Sequence, residues 1–173
     1  MLIEQSFKLD RKENLPIITL PWFNNCRAII DTGATLPMWL KSIAILNLKG
    51  ASKENRQVKV NGVGGKTTGN LYRVNFDIEN IHFRHMPIVH KEIEVADAYM
   101  ILPYSMFEGM KIEFDIIEHT FKIQVDNKEY YRELQLKDEY GRLYVYLSEV
   151  FATEEEYNAN RVRRMDYQQG DTQ

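Results

Sequence analysis

Cysteine is almost absent from this 173-residue chain: Cys26 stands alone, so no intrachain disulfide can form and a thiol-reducing compartment is the default expectation. No long hydrophobic run is present. Within the opening eight residues, Glu4 and Lys8 interrupt any apolar stretch, so neither a signal peptide nor a membrane span is expected and the reading is of a soluble, cytoplasmic protein. A surplus of positive charge is also missing. With 22 Lys and Arg against 25 Asp and Glu, the net charge is -3, without the basic footprint that nucleic-acid binders usually carry. Neither nucleic acid nor membrane is expected as a partner. Internal repeats and low-complexity stretches are lacking too, while 44% apolar and 27% charged residues match an ordinary folded domain rather than a disordered chain.

What is present, from about residue 15 to 125, is a series of short β-rich runs broken by turn residues roughly every ten positions, the pattern of an all-β unit. Pro16 to Leu20 and Arg27 to Ile30 flank Asn24-Asn25, a pair that tolerates the positive φ angles of a tight turn. A second hairpin is expected from Gln57–Val60 and Asn70–Val74, with a glycine-rich tip over residues 61–69 that should be mobile. A third pairs Val74–Ile78 with Ile81–Met86 across Glu79-Asn80 and alternates apolar with polar residues, as a half-buried strand does. Met100-Ile101-Leu102 reads as a short strand, and Pro103 as the first residue of a helix running to about Met110, because its missing N–H costs nothing there; Gly109 can end it. Lys111–Asp115 and Thr120–Ile123 alternate again. Beyond Val125 the composition becomes tyrosine-rich and acidic, with one further strand expected at Leu143–Leu147. Thr153-Glu154-Glu155-Glu156 is a capping-box sequence, and Arg161, Arg163 and Arg164 suit the far end of a short helix. The last residues, from Gln168, are expected to fray. The division is therefore a domain over residues 1–125 and an extension over 126–173.

The chemistry concentrates at Ile29-Ile30-Asp31-Thr32-Gly33-Ala34, where an apolar strand runs into Asp-Thr-Gly. A shuffled chain of this composition would contain that tripeptide about 0.02 times, so it is a moderate signal that needs context. Two carboxylates placed too close for both to ionise can divide acid and base roles and activate a water. Such a machine needs two Asp-Thr-Gly loops, and this chain has one: Asp171-Thr172 is followed by Gln173. A two-fold homodimer would supply the second Asp31. Gly33 allows close approach of backbone to carboxylate, its amide can donate a hydrogen bond to the shared charge, and Ala34 keeps the approach clear.

In order and spacing these features resemble the retropepsins, the single-domain homodimeric aspartic proteases of retroviral and bacterial type, over roughly residues 10 to 125. The matching positions are Ile29 to Ala34, the glycine-bearing hairpin Val60 to Tyr72, and Ile101-Leu102 followed by Tyr104 to Phe107. The resemblance implies an all-β, closed-barrel acid-protease fold with one short helix after the Ile101-Leu102 strand, here followed by a C-terminal α/β extension. It implies Asp31 as the catalytic residue, with Thr32, Gly33 and Ala34 forming the active-site loop and the Thr32 hydroxyls interlocking between subunits. It implies that a flap carrying Val63, Gly64 and Gly65 closes over an extended polypeptide substrate, with no cofactor and no metal. Two departures stand out: Pro103 occupies the usual glycine position, and Thr35 follows Ala34 where aspartate or serine is common. The rival expectation is a retropepsin-fold dimer, weak or inactive in catalysis, that acts as a peptide-binding or assembly module.

The plainer readings are structural. Asp31 and Gly33 are ordinary turn residues. The glycines before Lys66-Thr67 have the wrong spacing for a phosphate loop. His82 and His85 have opposite strand parity and are expected on opposite faces, unsuited to a shared metal. Trp22, Trp39 and Cys26 are expected in the core, and Asp97 in an exposed loop. Apolar subsites are expected near Trp39, the flap and Met86-Pro87-Ile88.

Overall fold

The computed structural model describes residues 2–10, 15–22, 25–62, 65–126 and 130–161. The chain is mostly β. Its strands are β1 (Leu2–Lys8), β2 (Ile17–Leu20), β3 (Cys26–Asp31), β4 (Met38–Trp39), β5 (Ser52–Gly62), β6 (Gly65–Ile78), β7 (Ile81–His90), β8 (Met100–Pro103), β9 (Lys111–Asp115), β10 (Thr120–Asp126), β11 (Tyr130–Glu139) and β12 (Arg142–Phe151). Helical elements are short: α1 (Ile43–Asn47), a 3-10 turn at Tyr104–Phe107, and α2 over residues 154–161.

The three hairpins anticipated from local pattern are present. β2 pairs antiparallel with β3, Ile17 opposite Ile29, and Asn25 takes a φ of 71° just before β3. β5 and β6 form a hairpin longer than expected, and β6 returns as β7 through Glu79, whose φ is 51°. Residues Val63 and Gly64, with the expected mobility of the tip, lie outside the described residues, as do Asn24, Arg163, Arg164 and the C-terminal end from Gln168. Gly69 serves packing: a Cβ there would collide with the Val89 side chain and the His90 carbonyl.

Strands distant in sequence assemble around β8. β3 runs parallel to β8, with Asp31 opposite Pro103. β4 lies antiparallel on the other side of β8 and parallel to the end of β7. Residues 32–37 therefore carry the chain across the end of β8. The core between these layers is aromatic and aliphatic. Trp39 is fully buried and Trp22 nearly so; their rings meet edge to face at 6.0 Å, and Trp22 meets Phe76 at 4.8 Å. Each fully buried Ile, Leu or Phe contributes about 1.5–3 kcal/mol, so the unbroken apolar faces of β3 and β7 hold the sheet together.

A second sheet of three strands, β1-β10-β9, was half legible in sequence: β9 and β10 were expected, β1 was not. It packs through Phe121, whose ring lies 5.7 Å from Phe107 and 5.0 Å from Phe114. An ion pair of 2.6 Å between Arg27 and Asp10 ties the chain after β1 to β3.

Beyond residue 125 the chain contains two strands where one was expected. β11 joins the larger sheet parallel to β7, with Tyr131 opposite His82, and β12 pairs back on β11. Thr153 caps the helix, the Glu156 N–H donating to Thr153 Oγ1 at 3.2 Å, while Glu156 Oε2 reaches one residue past the cap and accepts from the Ala152 N–H at 3.2 Å. Tyr157 of α2 then packs on Tyr131 and Phe151. Two of the tyrosines, Tyr131 and Tyr157, thus form the seam between helix and hairpin with Phe151.

Two expectations are corrected. Pro103 is the last residue of β8, with φ -76° and ψ 153°, and the helix after it is only the four-residue 3-10 turn Tyr104–Phe107 rather than a helix to Met110. Parallel pairing with Asp31 holds Pro103 extended, and Glu108 and Gly109, the latter at φ 80°, stop the turn early. The second concerns the histidines. A bulge sets Arg84 and His85 against Asn75, between the pairs Phe76–Phe83 and Val74–Met86. The extra residue resets the alternation, so His82 and His85 leave the same face of the β6–β7 ribbon. His85 has φ 53°.

Candidate active site

Asp31 sits where β3 ends. Burial of Ile29 and Ile30 in the core fixes the direction in which the strand delivers it, and its carboxylate is only partly buried. The Gly33 N–H donates to Asp31 Oδ1 at 2.8 Å, and the Ala34 N–H donates to the Asp31 carbonyl at 3.2 Å. Asp31 to Ala34 is therefore a turn folded back on its own carboxylate. Gly33 gives the carboxylate room and has no left-handed φ: a Cβ there would lie 3.3 Å from Asp31 Oδ1, a tight contact. Thr32 and Gly33 are exposed and Ala34 is half-buried. The four loop residues thus lie together, with the Thr32-Gly33 edge turned outward.

The loop is braced from outside itself. On one flank it rests on β8 through the Asp31–Pro103 pairing. On the other, the Val145 N–H of β12 donates to the Thr35 carbonyl at 2.8 Å. Thr35 and Val145 are far apart in sequence, and no local pattern predicts their contact. Past Thr35, Leu36 is buried, and the Pro37 carbonyl accepts from the Val89 N–H at 2.9 Å.

The flap residues are only partly placed. Gly65 begins β6 opposite Gly62; Val63 and Gly64 lie outside the described residues. The expected apolar subsites are corrected: Trp39, Met86 and Ile88 are fully buried and pack in the core, where no substrate reaches them.

Several other titratable groups have structural partners. Burial by itself would raise the Asp77 pKa, but hydrogen bonds and charge from His82 and Arg84 outweigh it and hold the carboxyl below its ordinary value; both partners approach Asp77 Oδ1 at 2.8 Å. His82 also stacks on Tyr131 at 4.6 Å. His90 bonds the Lys41 carbonyl through Nε2 at 2.9 Å. Among the described residues, no three His, Cys, Asp or Glu side chains gather where they could hold a metal ion. Burial pushes the Cys26 thiol up to about 12, which makes it a poor nucleophile. Asp97 is exposed, as expected. Among the described residues, no helix is long and apolar enough to cross a membrane.

No protein-family model matches the chain, and no curated protein matches it. Among solved structures it is similar to a retropepsin-like aspartic protease from Rickettsia conorii, at 14% identity and a TM-score of 0.45, covering 72% of this chain and 92% of that one. A TM-score of this size does not establish a shared fold, so the chain's own site carries the functional reading.

Proposed function

We propose that the chain is one subunit of a homodimeric aspartic endopeptidase of the retropepsin type. In this reading the two Asp31 carboxylates share a proton across a two-fold axis and activate a water against a peptide carbonyl. The observation that carries it is the Asp31 turn: a carboxylate at the end of a core strand, held by the Gly33 amide at 2.8 Å, beside an exposed Thr32-Gly33 edge. A catalytic aspartate needs that edge open to a second copy.

Barrel closure, interlocked Thr32 hydroxyls and a flap over Val63, Gly64 and Gly65 belong to the same reading, as does a catalytic unit over residues 1–125 with 126–173 as its extension. The extension then acts as a brace, through the Val145–Thr35 hydrogen bond. A reducing, cytoplasmic setting fits Cys26, a buried free thiol. Because the two carboxylates titrate as a pair, the rate should be bell-shaped in pH on the acid to neutral side, with apparent values that belong to the dyad.

The rival is a dimeric peptide-binding module, and one observation favours it: Pro103 stands directly against Asp31, at the position of the usual family glycine. Asp31→Asn separates the two. Hydrolysis of a broad peptide library should vanish while the melting temperature is kept; equal cleavage by wild type and variant refutes the protease. Sedimentation tests the other half, since a chain that stays monomeric at high concentration leaves Asp31 without its partner.

A further inference from the structure

Arg132 is the one arginine of the described residues in the buried class, 2% exposed on β11. Its Nη2 donates to the Glu108 carbonyl at the end of the 3-10 turn, while Nε is buried without any hydrogen-bond partner. Among the described residues no carboxylate forms an ion pair with it. A buried cation left in this condition is costly unless something pairs with it. Burial pulls its pKa down to about 10, with only partial compensation from Glu108 and Tyr130.

The side chain is enclosed by protein on most sides but borders one open space. It lines a cavity of about 340 Å³, between β10, β11, β12 and the start of β9, whose walls include Gly109, Gln124, Tyr130 and Val150. Gly109 borders the guanidinium, 4.0 Å from Arg132 Nη2 at the place a Cβ would take, and its φ of 80° is one that glycine adopts freely. Val150 is the direct cross-strand neighbour of Arg132 and is 45% exposed, so the cavity has a mouth beside the charge. Two acidic residues, Glu108 and Asp126, also line it, as does Lys111; Asp126 is engaged by the Tyr130 hydroxyl.

We propose that this cavity is a carboxylate-binding site anchored by Arg132. The guanidinium group matches a carboxylate in charge and planar geometry, and Arg132 is the buried cation on the cavity wall. A dianionic phosphate would meet stronger repulsion from Glu108 and Asp126 than a monoanionic carboxylate. Gln124 and Tyr130 add polar groups at the wall, and Leu147 and Val150 would pack against the aliphatic part of the ligand. The site is independent of Asp31, and its failure or success leaves the protease reading untouched.

The test uses the full chain with acetate and butyrate as probes, acetamide as the neutral control, and ionic strength held constant. A short peptide with a free C-terminal carboxylate is compared with its amidated form. Melting temperature and the Arg132 Nε–H resonance are read together. Carboxylates should raise the melting temperature in a saturable way and move that resonance, while acetamide does neither. A response to the free-carboxylate peptide but not the amidated one assigns the ligand as a chain terminus; a response to acetate and butyrate but to neither peptide assigns a free acid. Because replacing Arg132 could unfold the protein, the decisive variant is Val150→Glu, which sets a carboxylate directly across the strand pair. It should melt higher than wild type without ligand and bind acetate at least tenfold more weakly, whereas Val150→Gln keeps the response. The proposal is overturned if no carboxylate gives a saturable shift, if acetamide acts equally, or if Val150→Glu responds like wild type.

Discussion

Replacing Gly33 with alanine is the sharpest probe of how the Asp31 carboxylate is positioned. The added Cβ would lie 3.3 Å from Asp31 Oδ1, so the carboxylate must give by a few tenths of an ångström. Gly33 does not have a left-handed φ, hence the backbone itself accepts alanine. Moving the carboxylate off its rotamer costs about 0.5–1.5 kcal/mol. Against that, restricting the unfolded chain by Gly→Ala returns about 0.4–1 kcal/mol. Net stability should therefore change by no more than about 1 kcal/mol, or about 2–4 °C in melting temperature for a chain of this size. Activity should respond differently. A misplacement of about 1 Å can cost about a hundredfold in rate, and under the proposed homodimeric protease reading both carboxylates are displaced at once, so kcat/KM should fall by about tenfold to a hundredfold. Peptide hydrolysis and thermal unfolding of the same preparation measure both. Full activity in Gly33→Ala would refute the idea that the Gly33 contact sets the carboxylate's position. A stability loss above about 3 kcal/mol would show that the turn is a folding element first.

Other perturbations probe the brace, the ion-pair cluster and the thiol. Val145→Pro removes the N–H that donates to Thr35 from the side of β12 facing away from β11; measured against Val145→Ala to cancel lost packing, it should cost about a further 1 kcal/mol and lower kcat more than KM. An unchanged kcat would mean the Thr35 contact is irrelevant to the loop. The Asp77 pKa is depressed in the folded state, so its contribution to stability is present above the unfolded value of about 4 and is lost as pH falls through the lower folded value. Asp77→Asn should therefore flatten the acid limb of melting temperature against pH, and an identical limb would discount the His82–Asp77–Arg84 cluster. Cys26, buried and raised to about 12, should resist maleimide at pH 8 in the native protein and react fully in denaturant; rapid native labelling would contradict its burial.

Short-range pattern was enough to read β2, β3, the β5–β6 and β6–β7 hairpins, β9, β10 and the Thr153 helix cap, because each depends on alternation or turn chemistry within a dozen residues. It also isolated Asp31-Thr32-Gly33-Ala34, since the tripeptide behind Ile29-Ile30 is a contiguous signal, and the Gly33 amide bond to Asp31 follows from that contiguity. Pattern misread the faces of His82 and His85, because one bulged residue opposite Asn75 inverts parity and nothing in the run announces it. It missed β1 and β11, whose polar and acidic residues mask strands that exist through pairing with β10 and β7.

By itself, then, the sequence determined a mostly β chain with a single carboxylate motif at the end of a buried strand. Tertiary structure decided what surrounds that motif. Pro103 is held extended because β8 pairs with β3, Thr35 is pinned because β12 lies beside it, and Arg132 reaches Glu108 because β11 lies close to the 3-10 turn. These contacts join residues that are distant along the chain. They form only when the core of Trp39, Phe76, Phe83 and Phe121 closes, and apolar burial, being non-directional, is not written in any local stretch.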